Sequence, residues 1–125
     1  MGVILVVDDE PVTQLMLGMM LQRSGDYKVV TAEDGQEALA HLDKEDIDLV
    51  IADVNMPKMD GLTMLQHLRA DGRYKNLPII MFTARGEWRI RQEAEKSGAT
   101  GFLTKPASSR DVTEAVARYL SPPTA

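Results

Sequence analysis

Three carboxylates stand side by side in this chain, Asp8, Asp9 and Glu10, directly after the apolar run Val3 to Val7 and before Pro11. Like charges at that spacing repel, so either one of them takes up a proton or a cation is recruited. Other reactive groups also follow apolar runs: Asp53 after "DLVIA", Thr83 after "PIIMF" and Lys105 after "GFLT". Three aspartates and one lysine make an oxygen-rich, net negative set, and the cation that suits it is magnesium, a hard ion that takes carboxylates and waters. A carboxylate, a divalent metal, a hydroxyl and an ammonium are also the parts that phosphoryl transfer needs. Asp53, set apart from the acid pair, is the natural nucleophile. Taken singly, each residue has an ordinary reading: Asp8 and Asp9 as a helix N-cap ahead of Pro11, Lys105 as a solvated lysine, Thr83 as a strand end. Their joint placement is what points to chemistry.

That placement requires elements to bring them together. Strand-length apolar runs recur at Val3 to Val7, Tyr27 to Thr31, Asp48 to Ala52, Pro78 to Phe82 and Gly101 to Thr104. Helix-length segments lie between and after them: "PVTQLMLGMMLQRSG", "GQEALAHLDKE" with Ala38, Leu39 and Leu42 on one face, and "DGLTMLQHLRADG" with Leu62, Leu65 and Leu68. "EWRIRQEAEKSG" and "SSRDVTEAVARYL" complete the set, the last with Val112, Val116 and Tyr119 along a stripe. Regular alternation of strand and helix gives a parallel sheet with helices on both faces. In such a sheet ligands bind beyond the carboxyl ends of the strands. The first, third, fourth and fifth strands each deliver a reactive group to that rim, and only the second offers none. His41 and His67 lie in helical segments with no acid or cysteine at metal-ligand spacing and read as plain helix residues. Trp88 reads as helix surface.

Composition narrows the class. The chain has 125 residues, 44% of them hydrophobic, which suffices for one core, and it carries no repeat. The absence of cysteine excludes disulfides and thiolate metal sites and fits a cytoplasmic setting. No apolar run reaches membrane-spanning length, no leader is expected, and Val6 stands where a myristoylation signal needs Ser or Thr. A net charge of −5 disfavours direct nucleic-acid binding. The closing "SPPTA" has linker composition, so one domain over residues 1–120 is expected, with 121–125 a tail or the start of a linker.

The segments "VVDDE", "DLVIADVNMPKMDG", "IIMFTA" and "GFLTKP" resemble the receiver domain of two-component response regulators of the chemotaxis type, in order and spacing. The resemblance covers Val3 to about Leu120. It implies an α/β, flavodoxin-like fold: a doubly wound five-stranded parallel sheet in the order 2-1-3-4-5. It further implies that Asp53 accepts a phosphoryl group from a histidine kinase or a histidine phosphotransfer protein. Asp8, Asp9, Asp53 and the backbone carbonyl of Asn55 would hold magnesium, and Thr83, Ala84 and Lys105 would bind the phosphoryl oxygens. The peptide bond before Pro106 would be cis. Thr83 and Phe102 would form the switch, moving the face of the fourth helix, fifth strand and fifth helix. Phe102 stands where many members carry tyrosine, and it brings no hydroxyl. Asn55 and Arg85 occupy the positions expected to tune the lifetime of the phosphorylated state. The implied protein is a switch that modifies itself rather than an enzyme that turns over substrate. Its partners would be the phosphodonor and a downstream output protein or attached domain, and a phosphorylation-dependent dimer is also allowed.

Other classes fit less well. A flavodoxin-like cofactor binder needs a small, hydroxyl- or glycine-rich phosphate loop after the first strand, where "DDEP" offers negative charge. A haloacid-dehalogenase-type phosphatase places its nucleophile after the first strand in a D-x-D pattern, whereas the isolated acid here follows the third. A degenerate receiver that binds partners without phosphorylation would be expected to lack an acidic-site residue, and none is missing. In the first helix Met16, Leu17, Met20 and Leu21 supply a core-facing stripe. Leu15 and Met19 remain apolar on a neighbouring face, either as part of a broad buried surface or as a docking surface for the phosphodonor's helical bundle.

Overall fold

The apolar runs become the strands of one parallel sheet in a computed structural model that describes residues 2–25, 27–84 and 86–120. In chain order the elements are β1 (Gly2–Val7), α1 (Pro11–Ser24), β2 (Tyr27–Ala32), α2 (Gly35–Lys44), β3 (Leu49–Asp53) and α3 (Gly61–Ala70). After a single 3-10 turn at Gly72–Tyr74 come β4 (Ile79–Ala84), α4 (Trp88–Lys96), β5 (Gly101–Lys105) and α5 (Ser109–Tyr119). The strand order is β2-β1-β3-β4-β5, the doubly wound arrangement expected from the sequence. The proposed tail, 121–125, lies outside the described residues.

Alternation along each strand divides the core in two. Leu5, Val7, Val50, Ala52, Ile79 and Met81 point to one face and meet Ala38 and Leu42 of α2, Met64, Leu65 and Leu68 of α3, and Ala94 of α4. Ile4, Val6, Leu49, Ile51, Ile80, Phe82 and Leu103 point to the other and meet Leu17 and Leu21 of α1 and Val112 and Val116 of α5. With both faces covered, β3 is buried throughout its length. The helices start where the sequence provides caps: Asp34 accepts the Glu37 N–H, Asp60 accepts the Thr63 N–H, and Ser108 and Asp111 form a reciprocal capping box.

Two expectations need correction. β2 to β5 end one or two residues beyond their apolar runs, so Asp53, Ala84 and Lys105 are the last residues of their strands and Thr83 lies within β4. Pairing with a neighbouring strand, Asp53 with Phe82 and Ala84 with Lys105, continues past the point where side chains turn polar. Met16 is not in the core-facing stripe but 44% exposed. Each helical residue advances about 100°, and Met16 lies that far from Leu17 at the middle of the buried face.

The site end of β3 is fixed by close backbone packing. The Gly61 N–H donates to the Val54 carbonyl at 2.9 Å, and a β-carbon at Gly61 would run into the carbonyl oxygen of Asp53. A Gly61→Ala chain should therefore lose about 1–3 kcal/mol in urea unfolding, the usual cost of overpacking against atoms that cannot give way. An unchanged midpoint would show that the start of α3 is free to move.

Candidate functional site

At the carboxyl rim of the sheet, charged groups from three strands converge. Asp8 follows β1 and is 1% exposed, with Asp9 and Glu10 exposed beside it. Asp53 closes β3 and is also buried. From the end of β5 the Lys105 ammonium reaches the Asp53 Oδ2 at 3.0 Å and lies 3.8 Å from the Asp8 Oδ2. The Asn55 N–H donates to the Asp53 Oδ1 at 3.3 Å, so Asp53 is held from both sides. Thr83 is buried in β4, and Ala84 pairs in register with Lys105. The Lys105–Pro106 peptide bond is cis.

The electrostatics of the cluster are unbalanced. The Asp8 Oδ1 accepts the Glu10 N–H at 2.9 Å, while the buried Oδ2 has no hydrogen-bond partner among the described residues. Burial pushes the Asp8 pKa above the usual carboxylate value, and the charges of Asp53 and Asp9 add to the effect. Burial works against the Lys105 ammonium, but the hydrogen bond and charge of Asp53, with Asp8 and Glu10, outweigh it and hold the lysine pKa above its usual range. Carboxylate oxygens of Asp8, Asp9 and Glu10 lie within 4.8 Å of one another, an arrangement that could hold a metal ion. The α1 helix begins after Glu10 with no side-chain cap bond, so Asp8 and Asp9 do not serve as its N-cap.

The remaining sequence-derived residues lie around this centre. Phe102 is half-buried on β5, with the Arg91 guanidinium of α4 over its ring at 4.7 Å from the centroid. Leu15 and Met19 sit on the outer face of α1, 65% and 52% exposed, beside a groove lined by Gln14, Gly18, Val29 and Thr31. Their exposure excludes the broad buried face. Arg85 lies outside the described residues. Sequence reasoning missed Gln14, whose side-chain amide donates to the Asp8 carbonyl at 2.6 Å and to the Ala32 carbonyl at 3.3 Å, tying the acid loop to the end of β2. It also missed Asp34, two residues beyond β2, which is buried and caps α2.

The response regulator receiver domain family matches residues 4–117, and the chain belongs to that family. It is 40% identical over 117 residues to response regulator Rre1 of Synechocystis sp., covering 94% of this chain and 50% of that protein. It is 41% identical over 117 residues to the alkaline phosphatase synthesis transcriptional regulatory protein PhoP of Bacillus subtilis, covering 94% of this chain and 48% of that protein. The chain thus spans about half the length of these two relatives. The solved structure of the chemotaxis response regulator CheY4 of Vibrio cholerae superposes with a TM-score of 0.89 at 39% identity, covering 96% of this chain and 99% of that one. Receiver domains are signalling switches of two-component systems, the class that fold and family assign to this chain. Among the described residues no helix is long and apolar enough to cross a membrane.

The unbalanced carboxylates have a consequence for stability. A buried acid with a raised folded-state pKa makes the folded state bind more protons than the unfolded one. Its contribution is therefore present below the ordinary value of 3.8 and lost as the pH rises through the raised folded value. In chelator-treated protein Asp8→Asn should remove that loss and raise stability at neutral pH by about 1–3 kcal/mol, the scale of an unsatisfied buried polar group. Urea melts of both proteins across pH 4 to 8 test this, and a neutral-pH loss of stability in the variant would contradict it.

Proposed function

We propose that this chain takes a phosphoryl group onto Asp53 from a phosphohistidine of a histidine kinase or phosphotransfer protein, and passes the event to an output protein or attached domain. The observation that carries this reading is the ammonium of Lys105 bridging Asp53 and Asp8 at the carboxyl rim. A carboxylate oxygen of Asp53 attacks phosphorus, the new O–P bond forms as the P–N bond breaks, and the imidazole leaves with that bond's electron pair. Lys105, the Thr83 hydroxyl and the Ala84 N–H take the phosphoryl oxygens, neutralising charge where it develops. Asp8, Asp9, Asp53 and the Asn55 carbonyl would hold magnesium; the buried Asp8 Oδ2, without a hydrogen bond among the described residues, supports that assignment. Bound there, the ion supplies positive charge that offsets the acids and the transferred group.

After transfer, Thr83 draws toward the phosphoryl group and Phe102 follows into the space it leaves, shifting the face built from α4, β5 and α5. Asn55 and Arg85 tune how readily water attacks the aspartyl phosphate. The exposed Leu15 and Met19 form the phosphodonor's docking surface on α1, close to Asp8 through Gln14. The protein works in the cytoplasm, and phosphorylation can drive it to a dimer through the shifted face.

Incubation with magnesium and acetyl phosphate should add one phosphoryl group by intact mass, with no addition in Asp53→Asn or in the presence of chelator. Absence of the adduct in a folded, magnesium-binding protein, across several small donors, would leave a binding module independent of phosphorylation. For the docking surface, Met19→Lys should slow transfer from the phosphorylated donor at least tenfold while leaving acetyl phosphate labelling unchanged. Equal slowing with both donors would place the effect in the site instead of the surface.

A further inference from the structure

The loop between β3 and α3, residues 54–60, carries one backbone conformation that its sequence does not favour. Lys58 has φ of 63°, the only positive φ at a non-glycine among the described residues, and a side chain there crowds its own backbone. Strain of this kind persists only where surrounding contacts hold it. Within the loop the Met59 N–H donates to the Pro57 carbonyl at 2.7 Å across Lys58, and two further contacts come from the start of α2. The Gly35 N–H donates to the Met59 carbonyl at 3.0 Å, an approach possible because a β-carbon at Gly35 would collide with Met59. The Lys58 ammonium lies 3.9 Å from the Asp34 Oδ2, while the Oδ1 of the same buried carboxylate caps α2 through the Glu37 N–H at 2.9 Å. At its other end the same loop presents Asn55, whose N–H steadies the Asp53 carboxylate.

We infer that Lys58 and Asp34 form a tether that holds the β3–α3 loop against α2, and so act as positioning residues for the Asn55 backbone and the cation bound beside it. The inference rests on the magnesium site proposed above. A loop held in place in advance binds a cation without first losing its own freedom, so release of either end weakens binding. Charge alone makes a different prediction. Removing the lysine would leave the acid cluster more negative and tighten magnesium, whereas removing the aspartate charge would loosen it.

The test is magnesium titration by calorimetry on the full chain, with urea unfolding in chelator to show that each variant is folded. Lys58→Met and Asp34→Asn, which keeps a capping side chain, should each weaken magnesium by about two- to fivefold, the range for a partly exposed pair. The double variant should be no weaker than either single one, and Lys58→Arg should bind like the unaltered chain. Tighter binding in Lys58→Met with weaker binding in Asp34→Asn would replace the tether by through-space charge. Unshifted affinities in both, with the unaltered chain binding normally, would remove the tether alone. No magnesium binding in the unaltered chain would overturn the proposed site itself, and the tether with it.

Discussion

The contact between Lys105 and Asp53 constrains much of the rest of the structure, because the two residues belong to strands that are not neighbours. β4 lies between β3 and β5, so the lysine must span two strand spacings, roughly 10 Å. Its long stem crosses above the end of β4, where Ala84 pairs with Lys105 and leaves room, and the ammonium lies 5.2 Å from the centre of the Phe82 ring. A shorter cation would not reach. The contact therefore depends on parallel registers that set Asp53 level with Phe82 and Lys105 level with Ala84, so that β5 ends two residues beyond β3 and its lysine reaches back over β4.

The same convergence works against the fold that produces it. One lysine faces a buried pair of aspartates, and the Asp8 oxygen that has no hydrogen bond among the described residues is costly to keep away from water. Backbone contacts hold the loops in place despite this. Gly61 brings α3 onto the last residue of β3, and Gln14 anchors the carbonyl of Asp8. Neither contact belongs to the chemistry, yet each fixes a strand end to the start of a helix. Conflict between local stability and site geometry is expected where a protein keeps groups ready for a charged ligand.

The sheet and its reactive rim were legible in the sequence because both follow from patterns with a short range. Apolar runs of strand length, the helical segments between them and the acids and lysine that end the runs read directly from spacing. Features that depend on rotation or long-range contact did not. Met16 and Leu17 are both apolar and adjacent, so composition does not say which faces the core; the packing of Leu17 and Leu21 onto β1 and β3 decides. Nothing in the spacing marks Lys58, whose positive φ accompanies a tight turn closed by the Met59 N–H on the Pro57 carbonyl and packed onto Gly35. Asp34 caps α2 with one oxygen, and its second oxygen meets a residue far along the chain, a contact that no local pattern announces.

On the proposed switch, the absence of a hydroxyl at position 102 alters what the output face can report. A tyrosine could exchange a hydrogen bond on moving, whereas Phe102 offers only shape, apolar area and the face of its ring. Its ring is already occupied by the Arg91 guanidinium, a contact worth about 0.5–1 kcal/mol at an exposed position. Inward movement of Phe102 would withdraw the ring from Arg91 and leave that cation unpaired on the surface of α4. The signal at this face would then be a freed positive charge beside a new hollow, and a partner able to read both would carry an acidic group next to an apolar one.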